Sequence, residues 1–301
     1  MPEVRRRQFR TALGTRLSYL HAGDPARPAV LLLHGFPNSA RGFRDVIPAL
    51  AAHAEVIAPD LPGFGDSEVL PTTSFAAFSE VVAELLEHLS VGPRFVYLHD
   101  FGAPVGLTIA MERPELVLGL IVQNANAHRS GLGPEWRDTL DFWANPTAEN
   151  EAAATAHLTP DGIRDQYVAG VPPEVAARIA PELWEEDWRV MSLPGRRDAQ
   201  RDLIADYARH VERFDAIGDY LAEAQPPALM LWGRHDAFFD VAETLSWMRD
   251  LPRMEAHVFD AGHLLLETDA PRAAALMSEF VATTVVRTPP PRAEQRRASR
   301  S

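Results

Sequence analysis

Residues 98 to 104 read Leu-His-Asp-Phe-Gly-Ala-Pro, and they join an apolar run at residues 95 to 98 to a helical stretch at residues 105 to 113. Almost no chain is left for a loop, so the turn must be sharp, and Gly102 gives the predicted strand and helix room to pack closely. Asp100 stands in the middle of this turn, at the start of the helix, where a negative charge is favoured. The pattern predicts a nucleophile elbow that holds the Asp100 side chain clear of the backbone.

The residue type at the centre of the elbow sets the chemistry. A carboxylate has a reference pKa of about 3.9 and is ionised at neutral pH, so Asp100 needs no base to activate it and can attack an sp3 carbon directly. Serine esterase chemistry is disfavoured because no serine stands at the elbow. An isolated aspartate at a helix start is more often a cap, so the nucleophile interpretation depends on partners elsewhere in the chain.

Short apolar runs that end at glycine or polar residues predict the strands of one sheet. Strands that alternate with helical stretches are typical of an α/β fold, in which a mostly parallel sheet is flanked by helices on both faces. The predicted strands are residues 29 to 33, 55 to 58, 95 to 98, 118 to 123, 228 to 232 and 256 to 259, and the predicted core helices include residues 78 to 89, 105 to 113 and 271 to 286.

The strand pattern divides the chain into four parts. Residues 129 to 224 contain no strand candidate, and their helical spacing with proline-marked joints predicts a helical cap. The cap separates residues 1 to 128, the first part of the core, from residues 225 to 286, the second part. Residues 287 to 301 are rich in proline and arginine without apolar periodicity, which predicts a disordered tail.

Two residues in the second part of the core are the predicted partners of Asp100. His263 follows the last predicted strand within the sequence Asp-Ala-Gly-His, and Asp236 holds the matching position after the preceding strand, at the end of Trp-Gly-Arg-His-Asp. Asp100, Asp236 and His263 occur in the chain order nucleophile, acid, base. Residues 123 to 127 read Gln-Asn-Ala-Asn-Ala and offer no carboxylate, so Asp236 is the better acid, and Asp240 is assigned to a helix start.

A site for a developing oxyanion is predicted from two backbone amides. Residues 34 to 37, His-Gly-Phe-Pro, follow an apolar strand and place the Phe36 N–H beside the elbow. The Phe101 N–H lies directly after the nucleophile, so the two amides can share an oxyanion.

The chain resembles the epoxide hydrolase and haloalkane dehalogenase branch of the α/β-hydrolase superfamily, from about residue 17 to residue 286. The His-Gly-Phe-Pro segment, Pro-Asp-Leu-Pro-Gly-Phe-Gly-Asp-Ser at residues 59 to 67, the elbow, and the segments that hold Asp236 and His263 all occur in family order. The resemblance implies an α/β-hydrolase fold with a helical cap inserted in the core. It also implies a covalent alkyl-enzyme ester on Asp100.

Three positions distinguish the chain within this branch. Dehalogenases commonly carry asparagine after His-Gly and tryptophan after the nucleophile, but this chain has Phe36 and Phe101 there. The segment is therefore more similar to that of epoxide hydrolases. Leu98 departs from the whole branch, because these elbows normally have glycine at that position.

Epoxide hydrolases resemble one another in a pair of cap tyrosines that donate protons to the epoxide oxygen. The resemblance implies Tyr207 as one of the pair and Tyr167, which falls later than expected, as the other. The alternative for each tyrosine is packing within a cap helix with its hydroxyl in water. Trp143 lies nearer the expected first position, and its indole N–H could hold a halide in a dehalogenase.

Composition excludes several classes of function. A net charge of −13 argues against a nucleic-acid partner. No apolar run approaches the length of a membrane span, and the start lacks the apolar segment of a secretory signal, so no membrane association is expected. The absence of cysteine fits a reducing cytoplasm. The oligomeric state is not indicated by the sequence.

The residues and the resemblance together predict a hydrolase that opens epoxides to vicinal diols. Water activated by His263 and Asp236 hydrolyses the Asp100 ester, so the partners are a small, largely apolar substrate and water, and no metal or organic cofactor is required. Haloalkane dehalogenation through the same ester is the alternative. A non-catalytic ligand-binding protein with the same fold is a third hypothesis.

Overall fold

The computed structural model describes residues 3 to 287, which contain one eight-stranded sheet with the order β1-β2-β4-β3-β5-β6-β7-β8. The first two strands are antiparallel to their neighbours, and the other six run parallel to one another. The predicted α/β fold and mostly parallel sheet are therefore confirmed. The strands are β1 (Arg5–Arg10), β2 (Arg16–Ala22), β3 (Ala29–Leu33), β4 (Glu55–Pro59), β5 (Arg94–His99), β6 (Val117–Gln123), β7 (Ala228–Gly233) and β8 (Glu255–Phe259).

The six parallel strands match the predicted strands, but the sequence did not predict β1 and β2. The β1 strand reads Arg-Arg-Arg-Gln-Phe-Arg and is almost wholly exposed, so it has none of the apolar alternation that signals a half-buried strand. It forms by pairing along its whole length with β2, from Arg5 opposite His21 to Arg10 opposite Arg16. Charged side chains on such an edge also discourage pairing with another chain.

Twelve α-helices accompany the sheet in the described residues, and seven of them, α4 to α10, lie between β6 and β7. These seven are called the inserted helices below, and their division from the core as a separate cap domain stays a prediction. The helices are α1 (Ile47–Leu50), α2 (Phe75–His88), α3 (Gly102–Glu112), α4 (Arg137–Ala144), α5 (Ala148–Ala154), α6 (Pro160–Val168), α7 (Pro173–Ala176), α8 (Glu182–Met191), α9 (Arg196–Glu212), α10 (Phe214–Ala224), α11 (Glu243–Asp250) and α12 (Leu266–Arg287).

Both faces of the sheet are covered by apolar side chains. In β3, Leu31 and Leu33 belong to one buried cluster, while Val30 and Leu32 belong to the other. The first cluster includes side chains of α2, α3 and the inserted helices, and the second includes those of α1 and α12. Each such leucine or valine, fully buried, contributes about 1.5 to 3 kcal/mol to folding. A strand covered on both faces reads as a continuous apolar run, which is why β3 was predictable.

The last helix begins earlier than the sequence predicted. It starts at Leu266, and its backbone leaves helical geometry at Asp269, two residues before Pro271. Proline disfavours a helical conformation in the residues that precede it, which explains the kink and the later start read from the sequence. The predicted disordered tail lies outside the described residues from position 288 onward. None of the helices in the described chain is long and apolar enough to cross a membrane.

Candidate active site

The turn between β5 and α3 places Asp100 at the carboxyl end of the central strands. Asp100 has φ +46°, in the left-handed region that side-chain-bearing residues rarely adopt. A Cβ added to Gly102 would lie 2.5 Å from the Leu33 carbonyl oxygen, and one added to Gly35 would lie 2.2 Å from the Asp100 Cβ. Both positions therefore need glycine, because any side chain there would displace the strand or the carboxylate.

The departure at Leu98 is accommodated by a glycine elsewhere. Leu98 is fully buried, and a Cβ added to Gly106 of α3 would come within 2.4 Å of the Leu98 Cδ2. The helix thus leaves the volume that the leucine side chain fills. The turn keeps its left-handed Asp100 despite the larger residue.

The two predicted oxyanion amides converge on Asp100. Its Oδ1 accepts hydrogen bonds from the Phe101 N–H and, at 3.4 Å, from the Phe36 N–H. The carboxylate itself is buried at 4% exposure, so these donors act where water does not compete with them. The same oxygen would carry the negative charge if a nucleophile added to the Asp100 carboxyl carbon.

His263 lies between two carboxylates. Its Nδ1 is 2.8 Å from Asp236 Oδ2, and its Nε2 is 3.5 Å from Asp100 Oδ2. Burial lowers the pKa of His263, but the charges and hydrogen bonds of Asp236 and Asp100 outweigh it and raise the pKa to about 10. In this arrangement the imidazole carries a proton at neutral pH and faces a carboxyl group on each side.

Asp236 is held by donors on both oxygens. Its Oδ1 accepts from the Phe238 and Phe239 N–H groups at 2.8 and 3.1 Å, and its Oδ2 accepts from the Asn124 amide at 2.8 Å as well as facing His263. Nearby Asp240 instead accepts from the Ala242 N–H just before α11. The geometry thus favours Asp236 as the acid, and Asn124, which sequence reasoning noted only as lacking a carboxylate, acts as its support.

A cavity of about 280 Å³ opens above Asp100, and aromatic side chains form much of its wall. Its polar lining residues are Asp100, Tyr207, His157, Gln166, Thr139, Glu135 and Asp138. A concave, largely apolar site with a small number of placed polar groups is the usual form of a small-molecule pocket. The apolar wall includes Phe36, Phe101, Trp136, Ile204, Phe238 and Phe239.

Tyr207 reaches this cavity from α9, as the sequence predicted. The residue is 1% exposed, and its hydroxyl has no hydrogen-bond partner of good geometry in the described chain. Burial and then the Asp100 charge raise the pKa of the phenol well above its usual value. Its ring is fixed by stacking on Trp143, with 6.1 Å between centroids. The phenol therefore stays protonated at neutral pH and keeps its proton available.

The structure does not bring Tyr167 to the cavity, so its prediction as a second donor needs correction. The Tyr167 hydroxyl donates to Asp187, which also pairs with Arg41 at 2.6 Å. The preceding residue, Gln166, lines the cavity instead. Successive side chains of a helix point about 100° apart. Tyr167 therefore lies on a face of α6 that does not meet the cavity.

The Trp136 and Trp143 indole N–H groups already donate to backbone carbonyls and are not available to a halide. Trp143 donates its N–H to the Ile204 carbonyl at 2.8 Å, and Trp136, which lines the cavity, donates to the Phe238 carbonyl at 2.6 Å. Neither indole N–H is free to hold a leaving halide in this conformation.

Comparison with known proteins identifies the family. Residues 28 to 270, well over half of the chain, match the alpha/beta hydrolase fold family. The chain belongs to this family. The resemblance found in the sequence motifs is thereby confirmed at the level of the superfamily.

Relatives of this α/β-hydrolase carry different activities. An uncharacterized hydrolase of Saccharomyces cerevisiae is 32% identical over 85% of this chain and 89% of the yeast protein. Haloalkane dehalogenase 2 of Mycobacterium bovis is 28% identical over 88% of this chain and 91% of its own length. The solved structure of the epoxide hydrolase CorEH has a TM-score of 0.74 at 26% identity, covering 93% of this chain and 99% of that chain. The fold is shared, so the side chains of the cavity must distinguish the reactions.

Sequence reasoning also missed His157 in this hydrolase. Its ring meets Phe36 edge-on, with 5.5 Å between centroids, and it lines the cavity. Burial lowers the pKa of His157, which the Asp100 charge opposes. The residue stands just after α5 with no motif around it, so only its position in space marks it. No group of three or more metal-ligating side chains occurs in residues 3 to 287.

Proposed function

We propose that this α/β-hydrolase opens epoxides to vicinal diols through an ester on Asp100. The observation that carries the proposal is Tyr207, whose buried, unpartnered hydroxyl shares a cavity with a carboxylate nucleophile. An epoxide is the substrate class that needs both groups, because its leaving oxygen stays attached to the carbon skeleton as a strongly basic alkoxide.

In the first step, Asp100 Oδ2 attacks one epoxide carbon and the bond from that carbon to the ring oxygen breaks. The electron pair of the broken bond stays on the oxygen, which takes the proton of Tyr207. The products are a hydroxyalkyl ester of Asp100 and a tyrosinate, which regains its proton from water. The raised pKa of the phenol suits this transfer, because the alkoxide is more basic still.

In the second step, water attacks the carboxyl carbon of the ester. Esterification removes the charge of Asp100, one of the two groups that raise the pKa of His263, so the imidazole can lose its proton and accept one from water. The negative charge develops on Oδ1, which the Phe36 and Phe101 amides contact. Collapse of this intermediate breaks the bond to the diol oxygen, which takes the proton that the His263 imidazole received from water. The carboxylic acid that remains then gives its proton to the imidazole, which restores ionised Asp100.

The cavity limits the substrate. At about 280 Å³ with aromatic walls, it fits a small, largely apolar epoxide. Glu135 and Asp138 are its acidic lining residues, and no arginine lines it, which disfavours substrates with a carboxylate or phosphate. Neutral aliphatic or aryl epoxides are therefore the preferred candidates.

Haloalkane dehalogenation is the second candidate, supported by the dehalogenase among the relatives and by the shared ester chemistry. A leaving halide is a weak base that needs N–H donors rather than a proton. Because the Trp136 and Trp143 indoles donate to backbone carbonyls, the cavity lacks that arrangement. The observation favours the epoxide reaction.

The proposal is tested by trapping the ester. In His263→Gln, ester formation should continue while its hydrolysis stops, so intact-protein mass spectrometry should show an adduct that maps to Asp100 after exposure to styrene oxide or an aliphatic terminal epoxide. In single-turnover experiments, Tyr207→Phe should slow adduct formation by about a hundredfold, as expected for loss of an acid catalyst.

Tyr220→Phe is the matched control. Like that of Tyr207, the hydroxyl of the partly buried Tyr220 has no hydrogen-bond partner in the described chain, and burial raises the pKa of Tyr220 to about 12. Tyr220 does not line the cavity. Its loss should leave the adduct rate unchanged. An adduct on another residue, or halide release from a bromoalkane without any reaction of epoxides, would refute the proposal.

A further inference from the structure

We infer that His99 is a positioning residue for the hydrolytic step, because its ring packs against the His263 ring and keeps this base aimed at the Asp100 ester. The inference rests on the proposed ester and deepens its second step. His99 is buried and does not line the cavity, so it acts through the base and not on the substrate.

The His263 ring is packed between two other rings. Its centroid lies 4.7 Å from that of His99, with 39° between the ring planes, and 5.1 Å from that of Phe239, with 14° between the planes. Phe239 lines the cavity, whereas His99 ends β5 behind it. The base is therefore held from the side of the cavity and from the side of the sheet.

The need for this packing arises when the ester forms. In the resting protein, His263 Nδ1 lies 2.8 Å from Asp236 Oδ2, and Nε2 lies 3.5 Å from Asp100 Oδ2. Esterification removes the charge of Asp100, so the attraction on the Nε2 side is lost while that of Asp236 remains. A ring held at one nitrogen can swing about that contact. Packing on two sides limits the swing and keeps Nε2 where the attacking water must lie.

His99 is itself fixed in place by Gln123, the last residue of β6. The His99 Nδ1 lies 3.1 Å from the Gln123 backbone carbonyl, which can only accept, so Nδ1 carries the proton. The Gln123 side-chain nitrogen lies 3.3 Å from the same Nδ1 and donates to the His263 backbone carbonyl at 3.1 Å. One glutamine thus joins both histidines to the end of the same strand.

His99 also has the charge that this role requires. Burial and then the charge of His263 lower the pKa of His99 well below its usual value, so the His99 ring is neutral at neutral pH. A neutral ring can pack on the protonated form of His263 and on its neutral form without repelling either. The base therefore keeps its position through both steps of the reaction.

Two variants of His99 separate the ring from its hydrogen bond. His99→Asn keeps an N–H donor near the Gln123 carbonyl but removes the ring, whereas His99→Phe keeps a ring and removes the donor. In single-turnover experiments with styrene oxide, His99→Asn should slow hydrolysis of the Asp100 ester by about tenfold and change ester formation by less than about twofold. Intact-protein mass spectrometry should then show the ester accumulating. His99→Phe should restore most of the hydrolysis rate.

A second variant and a control distinguish positioning from general loss of packing. Phe239→Leu removes the ring on the other side of His263, and because Phe239 lines the cavity, both steps should slow, hydrolysis more than ester formation. Phe280→Leu removes one ring of a buried pair with Phe95, at 5.6 Å between centroids, in the cluster on the other face of the sheet. It should lower stability without accumulation of the ester.

Three results would overturn the inference while the proposed ester stands. These are an unchanged hydrolysis rate in His99→Asn, equal losses in both of its steps, or hydrolysis in His99→Phe as slow as in His99→Asn. If only a bromoalkane alkylates Asp100, the proposed epoxide reaction fails by itself, and the same variants measure the role of His99 on that ester. A wild-type protein that forms no Asp100 adduct from either class of substrate would overturn both.

Discussion

Residues at the centre of this site differ in how many donors hold them. Asp236 accepts hydrogen bonds from two backbone amides and from Asn124, in addition to facing His263. These donors occupy the lone pairs that water would otherwise solvate, so the carboxylate is held in one orientation beside His263. Asp100 has fewer hydrogen-bond partners, which suits the nucleophile role proposed for it.

The first prediction at this scale concerns Asp236. Asp236→Asn removes the charge that stabilises protonated His263 and that orients its ring, so the hydrolytic step should slow by about a hundredfold or more. Ester formation should be less affected, since Asp100 needs no base. Rapid-quench mass spectrometry should therefore show an Asp100 ester accumulating in this variant with an epoxide substrate.

Asp240→Asn serves as the control for that change. Asp240 accepts from the Ala242 N–H and makes no contact with His263, so its variant should turn over normally, with a loss of stability no greater than about 2 kcal/mol. If Asp240→Asn instead accumulates the ester and Asp236→Asn does not, the assignment of the acid is wrong.

Sequence reasoning succeeds where a residue's role follows from its place in the chain. Asp100 and Asp236 each follow a buried strand, and His263 follows the partly exposed edge strand β8. Parallel strands end at one edge of the sheet, so the convergence of the three residues could be predicted. The support that Asn124 gives Asp236 could not be predicted, because the two residues lie far apart in the chain on different elements. The prediction of Tyr167 as a second donor failed for a related reason, since helical spacing does not say which face of a helix meets the cavity.

The strands also divide into those that the sequence predicts and those that it does not. The buried strands β3 and β5 were predictable because both of their faces are covered and because each contains an apolar run, residues 29 to 33 in β3 and residues 95 to 98 in β5. The exposed β1 was missed because pairing with β2, a nonlocal interaction, holds it. The packing of Leu98 against Gly106 also joins two elements, the end of β5 and the second turn of α3. Both elements form the elbow.

This coupling gives a prediction about the stability of the elbow. Gly106→Ala should destabilise the protein by about 1 to 3 kcal/mol through overpacking, even though alanine favours a helix. Leu98→Ala should cost about 2 to 5 kcal/mol as a core truncation. The double variant should lose less than the sum of the two, because the shortened side chain makes room for the new methyl group. Urea denaturation measures all three free energies of unfolding.

A glycine with space around it provides the comparison. A Cβ added to Gly218 of α10 would meet Asp250 Oδ2 at 3.5 Å, an ordinary contact, so Gly218→Ala should stabilise the protein by about 0.5 to 1 kcal/mol. Strict additivity of Gly106→Ala and Leu98→Ala would mean that the two residues are independent and that another contact shapes the elbow.

At the scale of the whole molecule, charged groups join the inserted helices to the core. Arg41, which follows β3, reaches α8 and donates to Asp187 at 2.6 Å and to the Leu183 carbonyl at 3.1 Å. Tyr167 of α6 donates to the other oxygen of Asp187. The tyrosine that the sequence assigned to catalysis therefore helps to hold the inserted helices over the site. This cluster also makes the stability of the molecule depend on pH, through the titration of Asp187.

The contribution of Asp187 to folding stability falls as the pH rises. Burial raises its pKa to about 6, although Arg41 and Tyr167 act in the opposite direction. The carboxyl is thus a weaker acid in the folded protein than in the unfolded chain, where its pKa is about 3.9. Between these two values the folded state binds a proton that the unfolded state has released. Its contribution to stability is therefore fully present below about pH 4 and is lost as the pH rises through about 6.

Asp187→Asn removes this titration. The free energy of unfolding of the wild type, measured relative to that of the variant, should fall by on the order of 3 kcal/mol between about pH 4 and about pH 6. Arg41 and Tyr167 do not titrate in this window, and Glu267, which also acts on Asp187, is present in both proteins. The constant cost of leaving Arg41 without its partner shifts the difference but does not change its slope. For Glu186→Gln, on the same helix, the wild-type minus variant free energy of unfolding should instead rise with pH. Hydrogen bonding to Arg189 lowers the pKa of Glu186, so the contribution of Glu186 to stability is lost as the pH falls. If the wild-type free energy of unfolding minus that of Asp187→Asn is flat or rises with pH, Asp187 stays ionised across this range. Arg41 then holds it in a permanent ion pair, to which Tyr167 adds a hydrogen bond.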